Sequence, residues 1–240
     1  MWDFEEGEVL AFDKPLRWTS FDLVAKVRWN LCRKIGKKKL KVGHTGTLDP
    51  LATGVVVVCT GRKTKLIDKL QYDVKEYVAT LQLGATTPSY DMEKEVNATF
   101  PTAHITRTLI DETIPQFLGE QWQVPPMFSA VQINGKRAYE LARKGEEVEL
   151  KPKLLVIDEL EVLAFDEEKM QLTIRVVCSK GTYIRALARD IGERLNSGAY
   201  LTALRRTRVG KTRVEDCYTI EQFLEQLKDY EPRNLSSETK

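Results

Sequence analysis

A mixed β-sheet flanked by helices is the fold class this sequence predicts, on three observations. Two long strand-like stretches, Val148 to Leu163 and Gln171 to Cys178, follow one another closely enough to pair antiparallel, and the alternating run Tyr77 to Leu83 supplies another strand. Apolar residues recur at helical spacing after Thr19 and again from Thr182 to Leu195. The chain has 240 residues, 42% of them hydrophobic and 30% charged, which is enough apolar material for a sizeable core and is ordinary for a globular protein.

In chain order, Val9 to Pro15 (VLAFDKP) reads as a short strand ending in a turn, and Thr19-Ser20-Phe21-Asp22 as a capping-box start. The helix that follows places Phe21, Val24, Val27 and Leu31 on one face, and Gly36 stops it ahead of a lysine run. Lys41 to Gly54 is rich in Gly, Thr and Pro without a period, so it is a loop. A buried segment, VVVVC, and a polar helix near Lys63 to Gln71 come next, and Gly84 ends the strand at Leu83. Thr106 to Leu118 has helical spacing. Asn134-Gly135 marks a tight turn, and Ala138 to Lys144 a short helix. The second amphipathic helix carries Ile184, Leu187, Ala188, Ile191 and Leu195 on one side, and a further short strand and a helix from Thr219 to Lys228 complete the fold. Residues 1–230 form one domain by this reading, and Glu231 to Lys240 a frayed tail.

Net charge is only +2, from 37 Lys and Arg against 35 Asp and Glu, so the total does not point to nucleic acid. The distribution does. Arg33, Lys34, Lys37, Lys38, Lys39 and Lys41 form one basic run and Arg205, Arg206, Arg208, Lys211 and Arg213 another, each able to meet phosphates or simply to be a solvated face. Cys32, Cys59, Cys178 and Cys217 include no CxxC pair, and His44 and His104 complete no metal-ligand spacing, so no metal is expected. The acidic start MWDFEEGEVLAF and the lack of a spanning apolar run predict a cytoplasmic protein with unpaired thiols and no membrane partner. Gly210-Lys211-Thr212 resembles the end of a phosphate-binding P-loop, but Arg205 stands where its first glycine belongs.

Chemistry concentrates in Gly43-His44-Thr45-Gly46-Thr47-Leu48-Asp49-Pro50-Leu51-Ala52-Thr53-Gly54, small residues around one carboxylate. Glycines allow close approach of the backbone to a ligand, and Pro50 biases Asp49 towards an extended conformation that presents its carboxylate. A nucleophilic aspartate needs such presentation, although an isolated Asp-Pro pair equally initiates a turn.

This string, followed by Cys59-Thr60-Gly61-Arg62-Lys63-Thr64-Lys65, resembles the signature of the TruB family of tRNA pseudouridine synthases. The similarity continues through Lys14-Pro15, Thr19-Ser20, Lys75-Glu76-Tyr77, Pro125 to Ala130, Asn134-Gly135-Lys136, Cys178 to Arg185, Asp190-Ile191-Gly192, Gly198-Ala199 and Leu204-Arg205-Arg206. The resemblance implies an α+β fold with a mixed, mostly antiparallel central sheet, no cofactor, and conversion of uridine 55 in the T arm of tRNA to pseudouridine by an isomerase acting as a monomer. It makes Asp49 the nucleophile, Arg185 the cation that keeps it ionised, and Tyr77 the ring that stacks on the target base and takes part in proton removal. His44, Tyr183 and Leu204 correspond to positions around the flipped nucleotide, and Asp91 to a supporting carboxylate that a turn-capping role explains equally well. Residues 123–149 correspond to an insertion that grips the T arm, with Lys136, Arg137, Arg143 and Lys144 towards phosphates.

Three positions depart from the family pattern: Arg17 for a glycine, Phe128 for a tyrosine and Tyr200 for a histidine. The small C-terminal RNA-binding domain of the PUA type that many members carry is expected to be absent. Two rival readings are an RNA-binding or tRNA-folding factor without catalysis, and a guide-RNA-dependent relative that works inside a protein complex; activity on naked tRNA separates them.

Overall fold

The computed structural model describes residues 2–129, 131–133, 135–143 and 149–231, with the backbone alone at 133, 136, 137, 139, 142 and 143. In chain order the elements are β1 (Val9–Lys14), α1 (Ser20–Lys34), β2 (Val42–His44), β3 (Ala52–Thr60), α2 (Ile67–Leu70), β4 (Lys75–Leu83), β5 (Ala85–Thr86), β6 (Ala98–Thr99), α3 (Arg107–Thr113), β7 (Gly119–Gln123), β8 (Gln132–Ile133), β9 (Lys136–Arg137), α4 (Ala138–Arg143), β10 (Lys153–Asp166), β11 (Gln171–Cys178), α5 (Ile184–Arg194), β12 (Ala199–Val209), β13 (Thr212–Arg213) and α6 (Ile220–Lys228). They group into two compact units, residues 1–73 with 206–240 and residues 74–205. This is the expected α+β class, with largely antiparallel strands flanked by helices.

In the first unit β1 pairs antiparallel with β3, from Val9 opposite Cys59 to Lys14 opposite Gly54, and β2 pairs with β3 from Val42 opposite Thr60 to His44 opposite Val58. Flanked on both sides, β3 is buried from Val55 to Thr60, which accounts for its unbroken apolar run. The Thr19 side chain accepts the Asp22 N–H at 3.0 Å and Asp22 returns the bond to the Thr19 N–H at 2.9 Å, so the capping box is real. Gly36 at φ +69° ends α1, with the Lys37 N–H bonded to the Cys32 carbonyl at 3.0 Å. Phe21 is not on the buried face. Ser20, Leu23, Val24, Val27 and Leu31 face inwards, and Phe21, roughly 100° round from the middle of that stripe by helical geometry, is 67% exposed. Trp2, Phe4, Phe12, Tyr218, Phe223 and Tyr230 form an aromatic cluster joining β1 to α6, and Phe12 and Tyr218 make one parallel bridge.

In the second unit the order β4–β11–β10–β7 is antiparallel throughout, with Tyr77 opposite Val176 and Ile157 opposite both Cys178 and Gly119. β4 alternates strictly, burying Lys75, Tyr77, Ala79, Leu81 and Leu83, and α5 packs on it with Ile184, Leu187, Ala188, Ile191 and Leu195 inside. Gly84 ends β4 at φ +87°. The expected helix 106–118 ends early: α3 stops at Thr113 and a tighter turn covers Ile114 to Phe117, because Pro115 lacks an N–H and its ring crowds the preceding turn. The strand expected from Val148 starts at Lys153, after Pro152. Val148, Asn134, Lys144 and the tail 232–240 lie outside the described residues.

Candidate active site

The loop 45–51 lies between β2 and β3 in the first unit, and it is fastened to that unit at several points. Ser20, the first residue of α1 and 2% exposed, accepts the Leu48 N–H at 2.8 Å and donates to the Leu48 carbonyl at 3.1 Å. One hydroxyl thus satisfies both backbone groups of the residue before Asp49. Arg17 donates its N–H to the Pro50 carbonyl at 2.7 Å from a backbone at φ +66°, the region where glycine is comfortable and an arginine is strained. The family's glycine at this position therefore has a conformational reason.

Arg206, near the C-terminal end of β12 and 3% exposed, holds the loop from beneath. Its guanidinium donates to three carbonyls, Val55 at 2.7 Å, Gly46 at 3.1 Å and Thr47 at 3.3 Å. Gly54 makes room for this, since a Cβ there would lie 2.1 Å from the Arg206 carbonyl oxygen. Asp49 itself is half-buried, and its carbonyl accepts the Ala52 N–H at 3.0 Å, closing the turn that an Asp-Pro pair favours. The turn uses the Asp49 backbone.

Lys14, fully buried at the end of β1, donates to the Pro15 and Trp18 carbonyls at 3.0 and 2.7 Å. Burial pushes its ammonium down to about 8, the Asp49 carboxylate pulls the other way, and the Arg206 guanidinium adds to the lowering. His44 is lowered as well, by burial and then by Arg206, so the imidazole is neutral at neutral pH. Its Nδ1 is buried without a hydrogen-bond partner. His44 ends β2, immediately before the loop, and a buried polar nitrogen there can bond a polar ligand.

The other expected residues belong to the second unit. Tyr77 is 8% exposed on the buried face of β4. Arg185, in the first turn of α5 and 5% exposed, donates to the Ser89 carbonyl at 3.1 Å and the Phe128 carbonyl at 2.8 Å, and lies 3.7 Å from Asp91. Asp91 also accepts the Glu93 N–H at 2.9 Å, as a turn cap does. Tyr183 caps α5 and is held by Gln123 through its N–H at 2.9 Å and its carbonyl at 3.2 Å; Leu204 on β12 is half-buried. Of Lys136, Arg137 and Arg143 only the backbone is described. The Gly210 turn joins β12 to β13 as a hairpin, not a phosphate-binding loop. Among the described residues no cluster of His, Cys, Asp and Glu could hold a metal, and no helix is long and apolar enough to cross a membrane.

The roles of Lys14 and Ser20 are not announced by the sequence, and Arg206, part of a basic run expected to meet phosphates or be a solvated face, is instead buried with its guanidinium on backbone carbonyls. Ser20 and Arg206 are 28 and 160 residues from their most distant partners in the loop, so no local signal connects them to it.

Residues 33–184 match the family model for the N-terminal domain of TruB family pseudouridylate synthases, and residues 185–237 match the tRNA pseudouridylate synthase B C-terminal domain. The fold also resembles solved structures of a Cbf5–Nop10–Gar1 complex (TM-score 0.67, 28% identity, 92% of this chain) and of an H/ACA ribonucleoprotein bound to a substrate RNA containing 2'-deoxyuridine (TM-score 0.65, 26% identity, 92% of this chain). This chain spans about half of those two, 54% and 53%. Fold and loop together are those of a pseudouridine synthase. The tRNA pseudouridine synthase B of Phocaeicola vulgatus is 62% identical over 236 residues, 98% of this chain and 100% of that one, and the protein of the same name from Bacteroides thetaiotaomicron is 64% identical over 234 residues, 97% and 98%. The chain belongs to the TruB family.

Proposed function

We propose that this protein converts uridine 55 in the T arm of tRNA to pseudouridine with Asp49 as nucleophile, residues 1–230 supplying the catalytic machinery. The observation that carries the reading is the Asp49 loop itself, whose neighbouring backbone is fixed by two buried side chains, Ser20 and Arg206. Fixing a nucleophile before substrate arrives removes the entropy of orienting it. The family and the names of its relatives supply the reaction and the RNA.

The glycosidic bond between N1 and the sugar carbon C1' breaks, the base turns, and C5 bonds to C1' in its place. Asp49 adds either to the uracil ring or to C1' and is displaced again, so nothing is consumed. C5 loses a proton and N1 gains one. Tyr77 would stack on the base and take part in removing the C5 proton, with Arg185 as the cation for the charged intermediates. His44, Tyr183 and Leu204 would surround the flipped nucleotide, the orphaned His44 Nδ1 taking one of its polar groups. The segment 123–149 would grip the T arm.

The test is pseudouridine formation in an unmodified tRNA transcript, without added cofactor or protein. The wild type is expected to modify the T-arm uridine, and Asp49→Ala to lose about four orders of magnitude or more in rate, as removal of a nucleophile does elsewhere. Tight tRNA binding with no product from the wild type would instead favour a binding or folding factor.

A further inference from the structure

The outer face of α1 is left over once the loop is accounted for, and its composition is unusual. Between Leu23 and Lys41 the chain carries Lys26, Arg28, Arg33, Lys34, Lys37, Lys38, Lys39 and Lys41 and no acidic residue at all. A solvated helix normally mixes the two signs, because like charges repel at i, i+4 and opposite ones attract. Apolar exposure accompanies the charge: Phe21 is 67% and Trp29 is 54% exposed on the same helix. Lys26, Trp29 and Arg33 succeed one another at i, i+3 and i+7 on the ridge opposite the buried stripe, and the Arg33 guanidinium lies over the Trp29 ring at 4.5 Å.

The basic surface continues past Gly36 into a cleft lined by Lys39, Lys41, Arg62, Thr64, Lys65 and Glu5. Acids of the N-terminal segment neutralise part of it, Glu5 pairing with Lys37, Glu6 with Arg62 at 3.0 Å and Glu8 with Lys63 at 3.7 Å. Lys26, Arg28, Lys38, Lys39, Lys41 and Lys65 have no carboxylate partner among the described residues. Unneutralised cations beside exposed aromatic rings fit a partner that offers phosphates and flat bases together.

We propose that the outer face of α1 and the lysine connection after it form a second RNA-binding surface, which holds the tRNA backbone and stacks an unpaired base on Trp29 or Phe21. The proposal rests on the tRNA reading above. The surface and the catalytic loop are mechanically joined, because Ser20 in the first turn of α1 clamps Leu48, and the helix extends roughly 20 Å from that clamp to Lys34. An RNA gripped along α1 is thus referenced to Asp49 through a rigid element.

The experiment compares wild type with Lys26→Glu/Arg28→Glu/Arg33→Glu, with Trp29→Ala, and with Lys38→Ala/Lys39→Ala/Lys41→Ala, which leaves the helix untouched. For each, the Kd of a tRNA transcript is measured against salt, together with the rate at saturating tRNA. The charge reversal is expected to raise Kd at least tenfold and to flatten the slope of log Kd against log salt by about two units, three phosphate contacts at about 0.7 each. Trp29→Ala is expected to raise Kd about tenfold with the slope kept, and the loop variant to raise Kd and flatten the slope together. Saturated rates stay within twofold. Unchanged Kd and slope in folded, active variants would overturn the proposal and leave this face to an acidic protein partner. A wild type that binds tRNA through α1 but makes no pseudouridine would overturn the catalytic reading and not this one.

Discussion

At the scale of single residues, Lys14 shows how tightly the site is balanced. It is fully buried and lowered to about 8, from an ordinary 10.5, chiefly by burial. A base whose folded pKa lies below its unfolded value binds fewer protons folded than unfolded between the two, so its contribution to stability rises with pH from about 8 to 10.5. Below pH 8 both states are protonated and the folded protein bears the full cost of a buried ammonium. Replacing Lys14 by Met should remove this dependence. The difference in urea midpoint between wild type and Lys14→Met, measured at pH 7.5 and again at pH 10, is expected to shift in favour of the wild type at the higher pH; a constant difference would mean that the buried amine does not titrate in this window. The buried thiols Cys59 and Cys178, raised by burial, contribute the opposite slope but cancel in the comparison. His44 was visible in the sequence only as a loop histidine. That it is a strand residue with a buried, unpartnered Nδ1 depends on its pairing with Val58, which no local pattern announces.

Among elements, the connection between β2 and β3 acts less as a flexible loop than as part of a brace formed by α1 and β12. Arg206 donates to two of its carbonyls, Gly46 and Thr47, and to that of Val55 in β3, a role for which a lysine, with one point charge and no planar fork, is a poor substitute. Arg206→Lys is therefore expected to lower the single-turnover rate of pseudouridine formation by about tenfold to a hundredfold, the usual consequence of a reacting group displaced by about 1 Å. The Kd for tRNA should stay within twofold; a loss confined to Kd would contradict this reading. Elements whose determinants are contiguous were legible beforehand. Thr19 with Asp22 and Thr219 with Gln222 spell out the two capping boxes, and the alternation in Tyr77 to Leu83 names the buried side of β4. Where the determinant was a competing local rule, the reading slipped. Pro115 cuts α3 short inside an otherwise helical spacing, and Phe21 satisfies the period from Val24 while lying off the face that Leu23 and Leu31 define.

For the whole molecule, the candidate site was legible to the extent that it is written in one stretch. Gly43 to Gly54 carries Asp49 and its neighbouring glycines together, whereas the groups that fix this loop come from Ser20 and Arg206, on either side of it in the chain. The unit that holds Asp49 is made of two separated pieces, residues 1–73 and 206–240, with the whole of the second unit between them in the sequence. Order of synthesis then matters. A growing chain makes Asp49 early and receives the arginine that braces its loop only after 156 intervening residues, since Asp49 and Arg206 lie at those positions. Until then the loop has its serine clamp but not its guanidinium, and an incomplete product carries the motif without the means to hold it. A fragment ending at Arg205 should exchange the Thr45 amide, bonded to Val57 in the full chain, at least tenfold faster than the intact protein does. Synthesis of the segment from Arg206 onwards would in this way double as the step that completes the brace around the Asp49 loop.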